Sequence, residues 1–493
     1  MEIRQVPLIG VGNLSNPQLE AAPMDQGTPS QTFEKLDEAS RRIKPMGLRV
    51  ETVAEKPVNY VQRTLEQKIC DRSANLGVIG LGYVGLTLAT EMAQKGFRVT
   101  GIDIDGGKVE SVNAGISYVL GVPNESLFSM VANGGLRATQ SLAAMESLDT
   151  ISICVPTPLR KNKDPDLSYI MAAVEAIHNH LRPGKLIVLE STTYPGTTRE
   201  VVLPILEKSG LKAGRDFFLA YSPEREGPAN RAFSTSNVPK VIGGITPRCT
   251  ELAALLYQQF VERTVPVSQP ESAEMVKLLE NTFLSVNIAL ANEVSRMCGK
   301  LNINVWEVIE AVKTKPFDFM PFYPGAGFGG YCIPVYPYYL AWKAKMNGFE
   351  PRLIEMAATI NSQMPGFAVN RIADILKKHK KSLNGSRVLA LGIAYKSDVN
   401  DTHDSGALEV VRLLMEEGAN VSYSDPYVAR VEIGGQILVS ANLSPQLLQF
   451  MDCVIILTNH SAFDYAMVAA ESPLVLDCRN SLRNFSGSNI QSL

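Results

Sequence analysis

The sequence predicts an α/β protein in which two doubly wound domains are joined by a central region of long helices. Three observations lead to this prediction. Short apolar strands alternate with helical segments from Asn75 to about Ala220, apolar residues recur at helical spacing from Glu271 to Lys313, and a second alternation begins at Arg387. Strands that alternate with helices are typical of a parallel sheet covered by helices on both faces. We therefore expect two Rossmann-like domains.

The 493 residues divide into four expected segments. The first shows little periodicity and contains turn-forming pairs such as Asn16-Pro17, so we expect it to be a flexible extension. The last begins with strand Arg387–Gly392 and helix Ala407–Glu417. The expected limits are 1–72 for the N-terminal extension, 73–268 for the first Rossmann-like domain, 269–365 for the central helical region and 366–493 for the second Rossmann-like domain.

Composition excludes several classes of protein. The formal net charge is −3, so the basic excess that nucleic-acid binding requires is missing. No apolar run approaches the roughly 18 residues that span a bilayer, and the N-terminus does not resemble a secretory signal. Seven cysteines without a Cys-x-x-Cys pair favour a reducing, cytoplasmic location. We expect no membrane or nucleic-acid partner and no metal site.

A glycine-rich turn follows the first strand of the first domain. Its sequence, Gly80-Leu81-Gly82-Tyr83-Val84-Gly85, lies between a strand and a helix, where such glycines let the backbone approach a pyrophosphate. Asp103 ends the next strand about 20 positions on, where a carboxylate binds a ribose 2′-hydroxyl and repels a 2′-phosphate. The alternative is a turn with no ligand. The combined pattern favours NAD over NADP.

Two further segments contain candidate catalytic groups. Cys332 ends a loop with four glycines in six residues, from Gly325 to Gly330, and such a loop can bring backbone close to a ligand. A cysteine is otherwise more often a buried small hydrophobe. Lys277 and Asn281 are four residues apart on a predicted helix and therefore share a face, although a lysine there could simply extend to solvent.

Polar runs follow two strands of the first domain. Glu190–Thr198 and Ser222–Glu226 begin where strands end, at the carboxyl edge of the predicted sheet, where folds of this class bind ligands. The hydroxyl-rich first run could equally cap a helix. Both runs are candidates for the active site.

These segments together resemble the nucleotide-sugar 6-dehydrogenase family, which acts on UDP-glucose and UDP-N-acetylhexosamines. The resemblance rests on ordered segments from about Leu65 to Tyr427. They are Val78–Leu86, Cys154–Leu159, Glu190–Thr198, Tyr221–Arg225, Lys277–Thr282, Tyr323–Pro334 and Ala394–Lys396. The resemblance implies an NAD domain, a central region that forms a homodimer, and a C-terminal domain that binds the nucleotide sugar.

The family oxidises a primary alcohol to a carboxylate in two hydride transfers, through a thiohemiacetal and a thioester on a cysteine. By position, the resemblance makes Cys332 the nucleophile and Lys277 the group that stabilises oxyanions, with assistance from Asn281. Thr193 and Glu224 would hold water or the sugar. The implied cofactor contacts are Gly80, Gly82, Tyr83, Val84, Asp103, Lys108, Thr157 and His403, and the implied substrate contacts are Tyr323, Gly329 and Lys396.

The sequence departs from the family at four positions near this site. Tyr331 replaces a histidine, Tyr336 replaces a catalytic aspartate, and His403 replaces an arginine that approaches the cofactor. Gly227 replaces an acidic residue. Because a phenol with a reference pKa of about 10 is neutral at pH 7, Tyr336 cannot replace a carboxylate that pairs with Lys277. Tyr336 is therefore predicted to mark lost or reduced four-electron oxidation.

Three interpretations stay open at this point. The first is an ordinary NAD-dependent 6-dehydrogenase that oxidises an alcohol of a UDP-sugar-like substrate. The second is a redox-neutral dehydratase or epimerase, acting on a sugar nucleotide or nucleoside, in which Tyr336 serves as an acid–base group. The third is a catalytically dead protein that binds NAD or sugar, although such a protein has no reason to retain Cys332 with Lys277.

Overall fold

The computed structural model describes residues 60–119, 121–225, 235–330 and 333–493, with side chains from residue 64 onward. Predictions that concern residues 1–59, Gly227, Tyr331 and Cys332 therefore lie outside the described residues.

An eight-stranded sheet forms the first domain, in the order β3-β2-β1-β4-β5-β6-β7-β8. Its strands are β1 Asn75–Ile79, β2 Arg98–Ile102, β3 Leu136–Thr139, β4 Thr150–Ile153, β5 Leu186–Leu189, β6 Phe218–Tyr221, β7 Lys240–Gly244 and β8 Thr264–Val267. Neighbouring strands are parallel except β6 and β7. All residues of β4, β5 and β6 are buried, which explains the continuous apolar sequences of β5 and β6. The predicted Rossmann-like domain is confirmed.

Helices cover both faces of this sheet. They are α1 Tyr60–Cys70, α2 Tyr83–Gln94, α3 Gly106–Asn113, α4 Asn124–Ala132, α5 Ser168–Asn179, α6 Leu203–Glu207 and α7 Pro247–Tyr257. A 3₁₀ helix spans Leu142–Ser147, and a π-helical turn, Thr198–Val202, precedes α6. Two apolar cores lie on opposite faces of the sheet, because residues that alternate along each strand point to opposite sides.

Helix α1 falls within the segment assigned to the N-terminal extension. Its Leu65 and Ile69 are buried in a core of the first domain, where α1 packs against α7. These apolar contacts attach α1 to the domain, so we move the proposed end of the extension from residue 72 to residue 59. The other proposed domain limits are unchanged.

Four helices form the central region: α8 Pro270–Leu301, α9 Val305–Lys313, α10 Tyr336–Met346 and α11 Arg352–Ser362. The next helix, α12 Met364–Lys378, belongs to the second domain, in whose core its Ile372 and Leu376 are buried. The segment predicted to be helical from Glu271 to Lys313 forms two helices, because a break at residues 302–304 interrupts it near its C-terminal end. Asn302 ends α8 in the left-handed conformation, with φ of 58°, and the Asn304 side chain caps α9 by accepting from the Trp306 backbone N–H. Helix α10 begins at Tyr336, four residues after Cys332.

The second domain contains a five-stranded parallel sheet in the order β10-β9-β13-β14-β15. Its strands are β9 Arg387–Leu391, β10 Asn420–Ser424, β13 Cys453–Ile456, β14 Val475–Asp477 and β15 Ile490–Ser492, and a separate hairpin pairs β11 Arg430–Ile433 with β12 Gln436–Val439. Helices α13 Gly406–Glu416, α14 Pro445–Phe450 and α15 Tyr465–Glu471 complete it. The second predicted Rossmann-like domain is confirmed.

Among the described residues, the structure contains no helix that is both long and apolar enough to cross a membrane. The cytoplasmic location stays a prediction.

Candidate active site

The glycine turn between β1 and α2 leaves space beside its backbone. Gly80 has φ of +89°, and a Cβ at this position would lie 2.7 Å from the Cys154 carbonyl oxygen. A Cβ on Gly85 would overlap the carbonyl oxygen of Gly80, so this glycine permits close packing of α2 against the turn. At Gly82 a Cβ would meet no described atom within 4 Å. The turn therefore combines tight internal packing with an open position at the N-terminus of α2, where a diphosphate would bind.

Asp103 follows β2 and faces the same turn. Its two carboxylate oxygens accept from the backbone N–H groups of Leu81, at 2.7 Å, and Asp105, at 2.9 Å. Lys108 Nζ lies 3.8 Å from this carboxylate. Each carboxylate oxygen can accept more than one hydrogen bond, so Asp103 fits the ribose of a dinucleotide. The other proposed cofactor contacts lie near this edge: Tyr83 and Val84 begin α2, and Thr157 is buried just after β4.

Lys277 and Asn281 occupy one face of α8 and are both buried. The Asn281 side-chain amide donates to the Lys277 carbonyl oxygen at 2.9 Å, so the two residues are locked within one helical turn. Within the part of the chain that the structure describes, the Lys277 ammonium has no hydrogen-bond or ion-pair partner. A buried cation that is not neutralised by a carboxylate is suited to stabilise negative charge as it develops on a substrate.

The two polar runs lie at the carboxyl edge of the first sheet, as expected. Thr193 is fully buried and its hydroxyl lies 2.6 Å from the Thr197 hydroxyl. Glu224 follows β6 and retains partial exposure, with one carboxylate oxygen accepting from the Arg225 backbone N–H at 2.6 Å. Glu274 of α8 accepts from the Gly196 and Thr198 backbone N–H groups and thereby attaches the first run to α8.

The glycine-rich loop before Cys332 is held by three parts of the molecule. The Gly325 N–H donates to Asn292 of α8 at 3.0 Å, and the Gly330 N–H donates to the His403 carbonyl oxygen at 2.8 Å. A Cβ on Gly330 would lie 2.9 Å from the Tyr395 ring. The loop thus requires glycine because it is pressed against the second domain. His403, proposed to contact the cofactor, contacts this loop through its backbone carbonyl oxygen.

A cavity of about 170 Å³ lies between this loop and the second domain. All three proposed substrate contacts, Tyr323, Gly329 and Lys396, line it, as does Ile333, the first described residue after Cys332. Burial lowers the pKa of Lys396. The sequence analysis missed Arg479, which also lines the cavity and whose pKa burial lowers. Its position directly after β14, at the carboxyl edge of the second sheet, is a signal that could have identified it.

Tyr336 begins α10 in an apolar environment. It is 9% exposed, belongs to the core that includes Leu278 and Val335, and contacts the Tyr339 ring edge-on with 5.8 Å between ring centroids. Helix α10 packs against α8, which carries Lys277. A carboxylate at position 336 would therefore enter a largely apolar cluster, whereas a phenol ring fills it.

Sequence comparison decides the family. Profiles of the UDP-glucose/GDP-mannose dehydrogenase family match three parts of the chain: the NAD binding domain at residues 74–261, the central domain at 271–363 and the UDP binding domain at 389–484. The chain belongs to the UDP-glucose/GDP-mannose dehydrogenase family. It is an NAD-dependent dehydrogenase-family enzyme, and the glycine turn with Asp103 lies in its NAD-binding domain.

Relatives of this dehydrogenase span most of its length. UDP-N-acetyl-D-glucosamine 6-dehydrogenase of Pseudomonas aeruginosa is 36% identical over 360 residues, which cover 73% of this chain and 84% of the relative. UDP-N-acetyl-D-mannosamine dehydrogenase of Pyrococcus horikoshii is 33% identical over 389 residues, which cover 79% of this chain and 90% of the relative. The solved structure of UDP-D-ManNAc dehydrogenase from the same organism aligns with a TM-score of 0.78 at 32% identity, over 85% of this chain and 98% of that one.

Proposed function

We propose that this dehydrogenase oxidises the primary alcohol of a UDP-N-acetylhexosamine to a carboxylate. The observation that carries the proposal is the cavity beside the glycine-rich loop, which two cationic side chains, Lys396 and Arg479, line from the second domain. A diphosphate is a dianion, and charged groups that are partly desolvated bind it more strongly than exposed ones. The names of the relatives supply the N-acetylhexosamine part of the proposal.

The chemistry assigned to the site divides among its side chains. Bound NAD supplies the hydride acceptor. Cys332 would add to the resulting carbonyl carbon to give a thiohemiacetal, and the Lys277 ammonium would stabilise the oxyanion that forms there. Loss of a second hydride to a second NAD, and of the hydroxyl proton, would convert the thiohemiacetal to a thioester. Asn281 would hold Lys277 in place through its backbone bond. Thr193 and Glu224 would hold the water that hydrolyses the thioester and supplies the second carboxylate oxygen.

The direct experiment follows NADH absorbance with NAD and each of three UDP-N-acetylhexosamines, together with product mass. Lys277→Met should lower kcat by about 100- to 1000-fold because the oxyanion loses its cation, while NAD affinity stays within about twofold. The proposal fails if no UDP-N-acetylhexosamine yields NADH, or if Lys277→Met leaves kcat unchanged.

The buried phenol of Tyr336 favours a second candidate, a redox-neutral dehydratase or epimerase. Without a carboxylate at position 336, hydrolysis of a thioester would lack a general base. Tyr336→Asp should raise the yield of NADH per sugar about tenfold if the missing carboxylate limits hydrolysis, and Tyr336→Phe serves as the matched control that keeps the ring. If wild-type protein already yields two NADH and a uronic acid, and Tyr336→Asp adds nothing, the second candidate is excluded.

We also propose that the enzyme is a homodimer formed through α8. Apolar side chains at positions 279, 283, 290, 297 and 301 recur on one face of this helix, and all are exposed by 46% or more. An uninterrupted apolar stripe of this length is typical of a protein interface. Leu290→Asp should convert a dimer to monomers in analytical ultracentrifugation, whereas Phe128→Asp, at an equally exposed apolar residue of the first domain, should not. A monomeric wild-type protein at micromolar concentration would refute this.

A further inference from the structure

Strand β7 brings a lysine to the carboxyl edge of the first sheet. Because β7 runs antiparallel to β6, its first residue, Lys240, lies at the edge where β5 and β6 end. A parallel strand would have placed this residue at the opposite edge. Lys240 is therefore beside the polar runs that follow β5 and β6, although it lies outside both runs in sequence.

The Lys240 side chain is only 4% exposed and joins two carboxylates. Its Nζ lies 2.7 Å from Glu190 and 3.3 Å from Glu224. Glu190 is fully buried and its second oxygen accepts from the Tyr257 hydroxyl, so Glu190 is fixed on both sides. Glu224 keeps 13% of its side chain exposed. The ammonium thus connects an immobile carboxylate in the core to a carboxylate that reaches the active site.

The charges at this cluster do not cancel. One ammonium faces two carboxylates, and nearby Cys154 stays a neutral thiol because burial raises its pKa well above the usual range. Arg225, the other cation beside Glu224, pairs with Glu280 of α8. Despite the unfavourable burial, the two carboxylates raise the pKa of Lys240, so it stays charged. The charged and titratable groups that the structure describes near Glu224 and its partners include Lys240, Glu190, Arg225, Glu280, Cys154 and Tyr257.

We infer that Lys240 is a positioning residue that keeps Glu224 ionised and oriented toward the reacting carbon, with Glu190 as its anchor. The inference rests on the proposed function, in which Glu224 holds the attacking water. A carboxylate activates water only while ionised, and an ammonium within 4 Å favours the ionised form. The fixed Glu190 prevents Lys240 from rotating away, so Glu224 keeps one orientation.

A purely structural role is the alternative, and Lys185 offers a matched control. Lys185 is also a buried lysine of the first domain, but it lies just before β5, at the amino edge of the sheet. Its ammonium donates to the backbone carbonyl oxygens of Met145 and Leu148 and contacts no carboxylate of the site. Replacing Lys185 should therefore lower stability without changing the pH dependence of catalysis.

The kinetic test compares Lys240→Met, Lys240→Arg and Lys185→Met with the wild type. Lys240→Met should lower kcat about tenfold, leave KM for the sugar nucleotide within about twofold, and move the acidic limb of the kcat–pH profile upward by about one unit. Lys240→Arg, which keeps the charge, should restore the limb to its wild-type position. If Lys240→Met unfolds the protein because Glu190 is left unpaired, Lys240→Met/Glu190→Gln removes both charges and should shift the limb in the same direction by a smaller amount, because loss of the Glu190 anion offsets part of the effect. The inference would be overturned if the acidic limb of the kcat–pH profile stayed at its wild-type position in either variant that removes the Lys240 charge.

A second measurement does not require turnover. Infrared difference spectra between each protein and its Glu224→Gln counterpart isolate the carboxyl band of Glu224, which can be titrated without substrate. The band should appear at a higher pH in the Lys240→Met background, or in the double variant, than in the wild-type background. If the wild type oxidises no UDP sugar but the band shifts, the proposed function fails while the Lys240–Glu224 linkage stands. If the Glu224 carboxyl band appears at the same pH with and without the Lys240 charge, Lys240 does not control the ionisation of Glu224 and the inference is overturned.

Discussion

The two Rossmann-like domains contain the same local arrangement, a glycine turn after the first strand and an aspartate after the second. In the first domain Asp103 accepts from the Leu81 N–H at 2.7 Å, and in the second Asp425 accepts from the Ile393 N–H at 2.8 Å. Gly80 has φ of +89°, and its counterpart Gly392 has φ of +77°. The two turns therefore share a glycine with positive φ and a hydrogen bond from the turn to the aspartate.

The surroundings of the two aspartates differ. Asp425 also accepts from the backbone N–H groups of Ala394, Tyr427 and Val428, and it receives the Nε2–H of His460 at 3.0 Å. The His460 tautomer follows from its Nδ1, which accepts from the Asp398 N–H at 2.9 Å. Asp425 has no capacity left for a ribose, whereas Asp103 has.

The positions that follow the turns differ as well. The first helix begins directly after Gly82, which has open space beside it, but Ala394 is fully buried and α13 begins only at Gly406. The intervening loop carries Lys396 and His403 to the substrate cavity and the glycine-rich loop. A shared turn is therefore a dinucleotide site only where the helix begins at once and the acid retains free hydrogen-bonding capacity.

The largest effect should come from placing a larger side chain at the third residue of each turn, Gly82 in the first domain and Ala394 in the second. Gly82→Val should weaken NAD binding by about 100-fold or more because its side chain occupies the diphosphate space, and Tm should change little since φ of −69° suits any residue. Ala394→Val should lower Tm and leave NAD affinity unchanged. Calorimetric titration with thermal melts measures both. Equal loss of NAD affinity in the two variants would refute the division between the domains.

Removing the charge of each aspartate should give a smaller effect. Asp103→Asn should weaken NAD binding about tenfold. It should also reduce the preference of the protein for NAD over NADP, because the amide no longer repels a 2′-phosphate. Asp425→Asn should destabilise the protein by about 2 kcal/mol, because His460 loses an anionic acceptor, with NAD affinity unchanged. Fluorescence titration with both cofactors decides this. The cofactor assignment is wrong if wild-type protein binds NADP more tightly than NAD.

The pH dependence of stability should have opposite signs at two buried carboxylates. Burial raises the pKa of Glu274 to about 7, so the folded state binds more protons than the unfolded state between about pH 4.5 and 7, and this contribution to stability declines as pH rises through that window. Although burial alone would raise the pKa of Asp425, hydrogen bonds from His460 and backbone N–H groups outweigh it and lower this pKa. The contribution of Asp425 to stability is therefore present above its unfolded pKa and is lost as pH falls below it.

Urea unfolding between pH 5 and 8 should therefore show a stability that falls by about 1–3 kcal/mol in the wild type and stays nearly flat in Glu274→Gln. Asp425→Asn should preserve the decline between pH 5 and 8 but reduce the loss of stability below pH 4. A wild-type stability that rises between pH 5 and 7 would contradict the assignment to Glu274.

The smallest effect should come from Lys108, the cation that lies beside Asp103. Its side chain is 38% exposed and lies 3.8 Å from Asp103. Because exposed pairs contribute at most about 1 kcal/mol, Lys108→Gln should change NAD affinity by only about two- to fivefold. A larger change would mean that Lys108 binds the cofactor directly through its charge.

Local signals in the sequence predicted the first turn and Asp103, because a turn, a helix start and a strand end each depend on neighbouring residues. Lys240 was not predicted, since only the reversal of β7 brings it beside Glu190 and Glu224. Likewise, helical spacing does not reveal a break such as that at Asn302, where one left-handed residue separates two helices whose apolar patterns are both helical.

The buried setting of Tyr336 could not be read from its position after Cys332. The resemblance placed it in the catalytic group, and the structure packs its ring against Tyr339 in the core. Which neighbours surround a side chain depends on the packing of α10 against α8, a contact between segments distant in sequence. Residue identity thus suggested chemistry at this position, whereas packing determines its environment.

The yield of NADH per UDP-N-acetylhexosamine tests the central claim most directly. Purified protein would be incubated with NAD and a limiting amount of each sugar nucleotide, and NADH absorbance would be compared with the mass of the product. We expect NADH to accumulate in proportion to the sugar consumed, with a product that carries a carboxylate in place of the primary alcohol. Conversion of the sugar with no net NADH, to a product that has lost water or inverted a centre, would contradict the claim.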